Sequence, residues 1–396
     1  MSFLRRWLSA DYRAARTAEA AGNPEAAAQH YALAGDFEAA VRMHLARAAR
    51  AGDRAAELQA LRDALHWAGD DPALKKLASA ALGRALLAKA LAEGIATARD
   101  HEKVREAAAL LLAGGEHRDA GKALEQLDDH QGAANAYSAG GLVEQMESAL
   151  VQDEQKNQSD HQAREAFADY ELHLGLGRRD DARAALERCL ELTPSRDRRR
   201  LLDDLLAHLI TSGKVELRPR GGGPGVVVSA GPTIGLGRDA LCDLALRAGG
   251  VSRRHADIDI GDAPRFSVRD GGSRNGTMLG GMPIAGKMPL ADRGVIELGE
   301  DCRIEFAVTG EPPILALTVQ NGLDRGRKLV AARPGDRIDL APHGLPCDLI
   351  FVDGRPWLGR AEGAFRLGDR VIGQGRAQLL AGDVVVIDGT EIDVVA

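Results

Sequence analysis

The chain has 396 residues, 45% hydrophobic and 28% charged, with a formal net charge of −7; that is ordinary globular composition, enough to bury more than one core, and it excludes wholesale disorder. Residues 1–210 hold 28 Lys+Arg against 34 Asp+Glu (net −6), and the remainder 23 against 24 (net −1). Neither half offers the basic surface that nucleic-acid binding needs, so no nucleic-acid partner is expected.

The first half reads as helix. Residues 1–212 contain 14 Gly and 3 Pro, whereas residues 213–396 contain 32 Gly and 12 Pro; alanine-rich sequence without breakers favours helix, and dense Gly and Pro punctuate short strands. The opening Phe3, Leu4, Trp7 and Leu8 share one helical face beside Arg5 and Arg6, but the run is too short for a signal peptide core. It reads as the first helix of the array, and membrane contact is not expected. The segment from Gly177 through Ala182 and Cys189 to Pro194 spaces a turn glycine, two small residues and a terminating proline as the second helix of a tetratricopeptide (TPR) repeat does, and resembles one. Weaker echoes start at Gly22, Gly35 and Gly115. Usual helix and loop lengths then give a TPR-like α-solenoid of roughly ten to twelve helices over residues 1–212. Such arrays commonly hold another protein, so a protein partner of the repeats is expected. The basic run Arg196–Arg200 carries Asp197 and is followed by Asp203-Asp204, so it reads as a solvated face.

From Leu209–Lys214 onward the pattern becomes all-β. Short β-prone runs from Val215 to Thr309 alternate with glycine-rich turns, as in a β-sandwich. Arg220–Gly225 lies between two such runs and reads as a hairpin loop. Three polar islands sit between strands: Gly237-Arg238, Ser252-Arg253-Arg254-His255, and Ser273-Arg274-Asn275-Gly276-Thr277. Arg238 is a permanently charged planar fork suited to phosphate. Ser252 supplies a hydroxyl donor, and Asn275 has the donor and acceptor needed to bracket a peptide backbone. Loops rich in cations and donors, held on a rigid sandwich, suit a phosphorylated peptide.

The order Gly-Arg, Ser-x-x-His, Asn-Gly resembles the forkhead-associated (FHA) domain over roughly 95 residues, Val215 to Thr309. The resemblance implies a phosphothreonine peptide as ligand. It implies phosphate contact from Arg238 and Ser252, main-chain bonding from Asn275, and candidate contacts from Arg253 and Arg274. Gly237, His255, Gly276 and Thr277 would support the site, His255 bracing it from beneath. One departure is Ile234-Gly235-Leu236-Gly237-Arg238, which carries two extra residues before the arginine.

After Glu311-Pro312-Pro313, read as a linker, the pattern restarts as a degenerate FHA-like sandwich over 311–396, following the FHA domain at 213–310. Pro346–Phe351 echoes Leu241–Leu246, Ala364–Leu367 echoes Arg265–Val268, and Gly382–Ile387 with Glu391–Val395 echoes Gly294–Leu298 with Arg303–Val308. Pro342-His343 stands where Gly237-Arg238 would be, and Asp353–Trp357 replaces the Ser-x-x-His loop. The Asn-Gly loop is deleted before Gly368-Asp369-Arg370. Phosphothreonine binding is not expected there; packing against the first copy, or a contact around Trp357, is. A small unrelated β-sandwich would show the same strand pattern.

Catalytic constellations are missing from the sequence. No P-loop lysine follows Gly221–Gly225, and Asp257–Asp262 alternates with isoleucine like a strand rather than a calcium loop. The four cysteines (Cys189, Cys242, Cys302, Cys347) form no CxxC, which argues against disulfide and zinc frameworks. The reading is therefore a multidomain α plus all-β protein: a TPR-like solenoid, an FHA sandwich and a smaller FHA-like sandwich. Its expected role is a cytoplasmic, cofactor-free, non-catalytic adaptor for a phosphothreonine protein, which implies an upstream Ser/Thr kinase. The alternative is a phosphate-independent scaffold of a secretion or membrane-associated assembly.

Overall fold

The computed structural model describes residues 9–260, 266–360, 362–373 and 375–396. The stripe of Phe3, Leu4, Trp7 and Leu8, the Gly261-Asp262 end of the calcium-like run, and Arg265 lie outside them.

Among the described residues, eleven helices precede the first strand. They are α1 (Ala10–Ala20), α2 (Pro24–Leu33), α3 (Phe37–Ala49), α4 (Arg54–Trp67), α5 (Pro72–Glu93), α6 (Ala98–Ala113), α7 (His117–Glu125), α8 (His130–Ala139), α9 (Val143–Gly175), α10 (Arg179–Leu192) and α11 (Arg196–His208). Short polar residues start most of them: Asn23, Asp36, Asp53, Asp71 and Asp129 each accept a first-turn amide, and Thr97 and Asp100 cap α6 reciprocally. The four glycines singled out in the sequence, Gly22, Gly35, Gly115 and Gly177, each precede a helix cap with φ of +73°, +76°, +75° and +71°. Only glycine adopts that conformation freely, so these residues set the interhelix turns. Small residues let the helices approach closely: a Cβ on Gly114 would lie 2.6 Å from the Cα of Ala80, and one on Gly121 2.3 Å from the Tyr137 ring. None of the helices among the described residues is long and apolar enough to cross a membrane.

The chain divides into two compact units after Ser159, not at residue 212 where composition changes. Packing, not composition, draws that line: α10 and α11 pack with the β region. The Gln378 N–H donates to the Gly177 carbonyl, Asp180 is bonded by Gln378 and Arg355, and Leu209 bridges Leu380.

Among the described residues, the β region contains three sheets. One has five strands in the order β4 (Leu244–Ala245), β3 (Thr233–Gly237), β5 (Ala256–Asp259), β6 (Ser267–Asp270), β9 (Met288–Pro289). A second has β14 (Ile338–Asp339), β15 (Asp348–Val352), β16 (Arg355–Gly359), β19 (Arg376–Gln378). The third runs continuously through twelve strands. From one edge come β18 (Arg370–Ile372), β17 (Phe365–Leu367), β20 (Val384–Ile387), β21 (Thr390–Val395), β1 (Lys214–Pro219) and β2 (Val226–Ser229). It continues through β13 (Lys328–Ala331), β12 (Ile314–Val319), β11 (Cys302–Thr309), β10 (Arg293–Leu298), β7 (Thr277–Leu279) and β8 (Met282–Pro283).

Two hairpins have traded places relative to chain order. The β1–β2 hairpin, whose loop is Arg220–Gly225 as read from the sequence, pairs with the last strand, Glu216 opposite Val395 and Pro219 opposite Ile392. The β12–β13 hairpin pairs with β11, Ile304 opposite Val319 and Thr309 opposite Ile314. Glu311-Pro312-Pro313 is thus the turn of an antiparallel pair, not an interdomain linker. The hydrophobic cores follow the strands. Leu315, Leu317, Val319, Leu329 and Ala331 join Ile234, Ile258, Val268, Ile296 and Phe306 in one core, while Val215, Leu217, Val226 and Val228 join Leu349, Phe365, Val385 and Ile392 in the other. At the seam, β2 and β13 pair in parallel. Alternate residues of a strand face opposite sides of its sheet, so Val227 enters the first core and Val226 and Val228 the second.

Strand order also corrects the internal echoes. β14-β15-β16-β19 repeats β3-β5-β6-β9, and β18-β17-β20-β21 repeats β8-β7-β10-β11. Asp348–Val352 therefore corresponds to Ala256–Asp259 rather than to Leu241–Leu246, and Phe365–Leu367 to Thr277–Leu279 rather than to the strand at Ser267. The matches of 382–387 and 391–395 to β10 and β11 agree with the topology.

Candidate functional site

The three polar islands meet at one end of the first sandwich. Strand β3 carries the two extra residues as continued strand and ends at Gly237, so Arg238 follows directly. Its N–H donates to the Ser252 carbonyl (3.0 Å), and that of Asp239 to the Arg253 carbonyl (2.9 Å). A Cβ on Gly237 would sit 2.1 Å from the Arg253 carbonyl oxygen, so only glycine permits this approach.

His255 is fully buried. Its Nδ1 accepts the Ser252 N–H (3.0 Å) and its Nε2 faces the Gly276 carbonyl (3.0 Å), which requires the neutral ring with its proton on Nε2. One imidazole thereby ties the Ser252 loop to the Asn275 loop. The Ser252 Oγ accepts the Arg274 N–H (3.0 Å), leaving its hydroxyl hydrogen free to donate. The Asn275 Nδ2 donates to the Gly250 carbonyl (2.8 Å), and Gly276 turns the chain at φ +72°. Thr277 is buried and donates its hydroxyl to Asp270 (2.6 Å).

Asp270 and Asp301 are residues that motif reading did not single out as site residues. Asp270 accepts the amides of Gly272 and Ser273 and the hydroxyls of Ser273 and Thr277. Burial pushes its carboxyl up, but these four donors outweigh it and hold the group below its ordinary value. An aspartate followed by Gly-Gly-Ser is a recognisable turn signal. Asp301 accepts the Gly250 N–H (2.9 Å) from a distant hairpin turn, and no local pattern marks it.

Residues 234–299 match the family model of the FHA domain, the stretch that holds all three islands. This segment is an FHA domain. An FHA domain solved in a structural and functional analysis of phosphothreonine-dependent FHA domain interactions is 33% identical, covering 22% of this chain and 88% of its own, with a TM-score of 0.18. EmbR of Mycobacterium tuberculosis, solved with a low-affinity phosphopeptide, is 19% identical, covering 75% of this chain and 69% of its own, with a TM-score of 0.19. A thermophilic TPR protein of Thermus thermophilus is 17% identical, covering 50% of this chain and 97% of its own, with a TM-score of 0.19. No curated protein matches the chain.

Electrostatics separates the arginines around the FHA loops. Arg254 and Arg269 both bond Asp257, and Arg247 bonds Asp324. Arg238, Arg253 and Arg274 are exposed, and their guanidinium groups have no acidic partner among the described residues.

The corresponding end of the C-terminal strands differs. By strand order its loops are 340–347 and the residues around Arg360. Asp353-Gly354 is instead the β15–β16 turn, at the other end of that sheet, where the Gly354 carbonyl accepts the Gly213 N–H. Arg355 and Trp357 therefore do not occupy the place of the Ser-x-x-His loop; both belong to β16. Four arginines of this region are engaged: Arg360 chelates Asp388 (3.0 and 2.7 Å), Arg337 and Arg376 hold buried Asp348, and Arg355, beside the opposite turn, holds Asp180.

Proposed function

We propose that this chain is a non-catalytic adaptor that binds a phosphothreonine segment of another protein through its FHA domain and a further protein through its helices. One observation carries the reading: Arg238, Arg253 and Arg274, exposed and without acidic partners among the described residues, stand on the same converging loops as Ser252, whose hydroxyl hydrogen is free to donate, and those loops are locked by His255 and Asp270. A dianionic phosphate supplies the charge this cluster lacks and accepts from each donor. In this reading Arg238 and Ser252 hold the phosphate, Asn275 brackets the peptide backbone, and Arg253 and Arg274 reach the phosphate or its flanking residues. Gly237, His255, Gly276 and Thr277 hold the loops. The ligand implies a Ser/Thr kinase acting upstream in a shared, cytoplasmic compartment. The C-terminal strands are a worn copy of the same sandwich that lacks the Gly-Arg, Ser-x-x-His and Asn-Gly islands and whose Arg337, Arg360 and Arg376 already hold acidic partners, so they recognise no phosphopeptide.

Titrating a phosphothreonine peptide library and its unphosphorylated twin into the full chain tests the proposal. Binding confined to phosphorylated members supports it. Equal affinity for both forms refutes it in favour of a phosphate-independent scaffold.

A further inference from the structure

The recognition loop of the FHA domain is held by residues that lie outside the matched segment, in the loop between β12 and β13. Arg247 stands where β4 leads into the Ser252 loop. Its backbone N–H and its Nε both donate to the Asp324 carboxylate, the latter at 3.0 Å, and its Nη2 donates to the Leu323 carbonyl at 3.2 Å. Arg327 completes the clasp by donating to the Ala245 carbonyl. Asp324 is only 4% exposed, so its bonds form in a setting where an unpaired donor is costly.

A second line of contacts reaches the far end of the same loop. The Asn321 Oδ1 accepts the Arg303 N–H (2.8 Å), and its Nδ2 donates to the Asp301 carbonyl (3.2 Å). This fixes the β10–β11 turn, from which the Asp301 carboxylate holds the Gly250 N–H (2.9 Å). The Gly250 carbonyl in turn accepts from Asn275 (2.8 Å). Both ends of residues 246–252 are thus anchored, directly or through Asp301, to the β12–β13 loop.

We propose that Asp324, seconded by Asn321, is a positioning residue of the phosphopeptide site, delivered to the FHA domain by the exchanged hairpin. The inference rests on the phosphothreonine reading of that site. Asp324 touches no ligand; it acts through the Arg247 amide, which sets the course of the chain to Ser252, and so fixes where the serine hydroxyl meets the phosphate.

The test uses the full chain and two readouts: affinity for a phosphothreonine peptide, and amide hydrogen exchange of residues 246–252. Asp324→Ala should weaken peptide binding by about tenfold or more, the scale of a lost charge-assisted bond, and speed exchange in 246–252. Asp324→Asn, which keeps an acceptor for the Arg247 amide, should recover part of the affinity. Asn321→Ala, which leaves the Asp324 clasp intact, should move both readouts in the same direction and keeps the test open should Asp324→Ala fail to fold. Wild-type affinity in a folded Asp324→Ala chain, or unchanged exchange of 246–252, overturns the proposal. Absence of phosphopeptide binding by the wild-type chain instead refutes the phosphothreonine reading, and exchange alone then decides whether Asp324 orders the loop.

Discussion

A chain ended after Pro313 retains Arg238, Ser252, Arg253, Arg274 and Asn275 together with Gly237, His255, Asp270, Gly276 and Thr277, yet it should lose the site. The cut removes β12 and β13, and with them Leu315, Leu317, Val319 and Leu329, all 0–1% exposed in the first core. Burying a Val or Leu side chain contributes about 1.5–3 kcal/mol, so the four together contribute about 6–12 kcal/mol, an upper range because unfolded chains already bury some surface. That matches the whole net stability of a typical domain, about 5–15 kcal/mol. The loss of Asp324 and Asn321 also frees both ends of the Ser252 loop. Limited proteolysis and phosphothreonine-peptide titration, comparing residues 1–313 with the full chain, read the two effects. The β segment should be digested under conditions that spare the full chain, and peptide affinity should fall by more than a hundredfold. A protease-resistant segment with unchanged affinity would mean that β1–β2 had moved to the vacated edge of β11, refuting the claim that the first core depends on the C-terminal hairpin.

Arg238→Ala removes an exposed guanidinium with no acidic partner among the described residues. It should cost on the order of 1.5–3 kcal/mol of binding, roughly tenfold to over a hundredfold in affinity, with an unchanged melting temperature. His255→Ala removes the acceptor of the half-buried Ser252 amide and one of two donors to the Gly276 carbonyl, which still accepts the Gly299 N–H; it should cost about 1–3 kcal/mol and lower the melting temperature by on the order of 5–10 °C, seen by circular dichroism. Acid should act in two separate windows. Peptide affinity should weaken as pH falls through about 6, where the phosphate takes up its second proton. Asp270 titrates below its ordinary value, so its stabilising contribution is complete above about pH 4 and is lost only as pH falls through its lowered folded value; loss of loop order already at pH 6, read by hydrogen exchange, would contradict this.

The three polar islands, and their convergence at one end of the sandwich, were legible because they sit in short motifs whose spacing local turn geometry preserves. The helix turns were legible for the same reason: a left-handed glycine followed by a cap leaves a mark within a few residues. Strand partnership left no such mark. Glu311-Pro312-Pro313 has the composition of a linker and of a hairpin turn alike, and only long-range pairing distinguishes them. One clue was present in Val226-Val227-Val228. An unbroken apolar run, unlike the alternation of Ala256–Ile260, signals a strand buried on both faces, and β2 lies at the seam between the two cores. Asp324 escaped notice because its partner, Arg247, is far away in the chain and neither belongs to a motif.

Hairpin exchange also dictates when this protein becomes competent during synthesis. The helices of the first unit rely on near neighbours and can fold as they leave the ribosome. The FHA recognition loops emerge next, but their core stays open until Ala331 follows. The β1–β2 hairpin then waits for Thr390–Val395, its partner strand, more than 160 residues later in the chain. At about 5–20 residues per second, that wait lasts roughly ten to thirty seconds, during which apolar strands lie uncovered. Nascent or prematurely terminated chains therefore carry all three polar islands without the closed core that supports them.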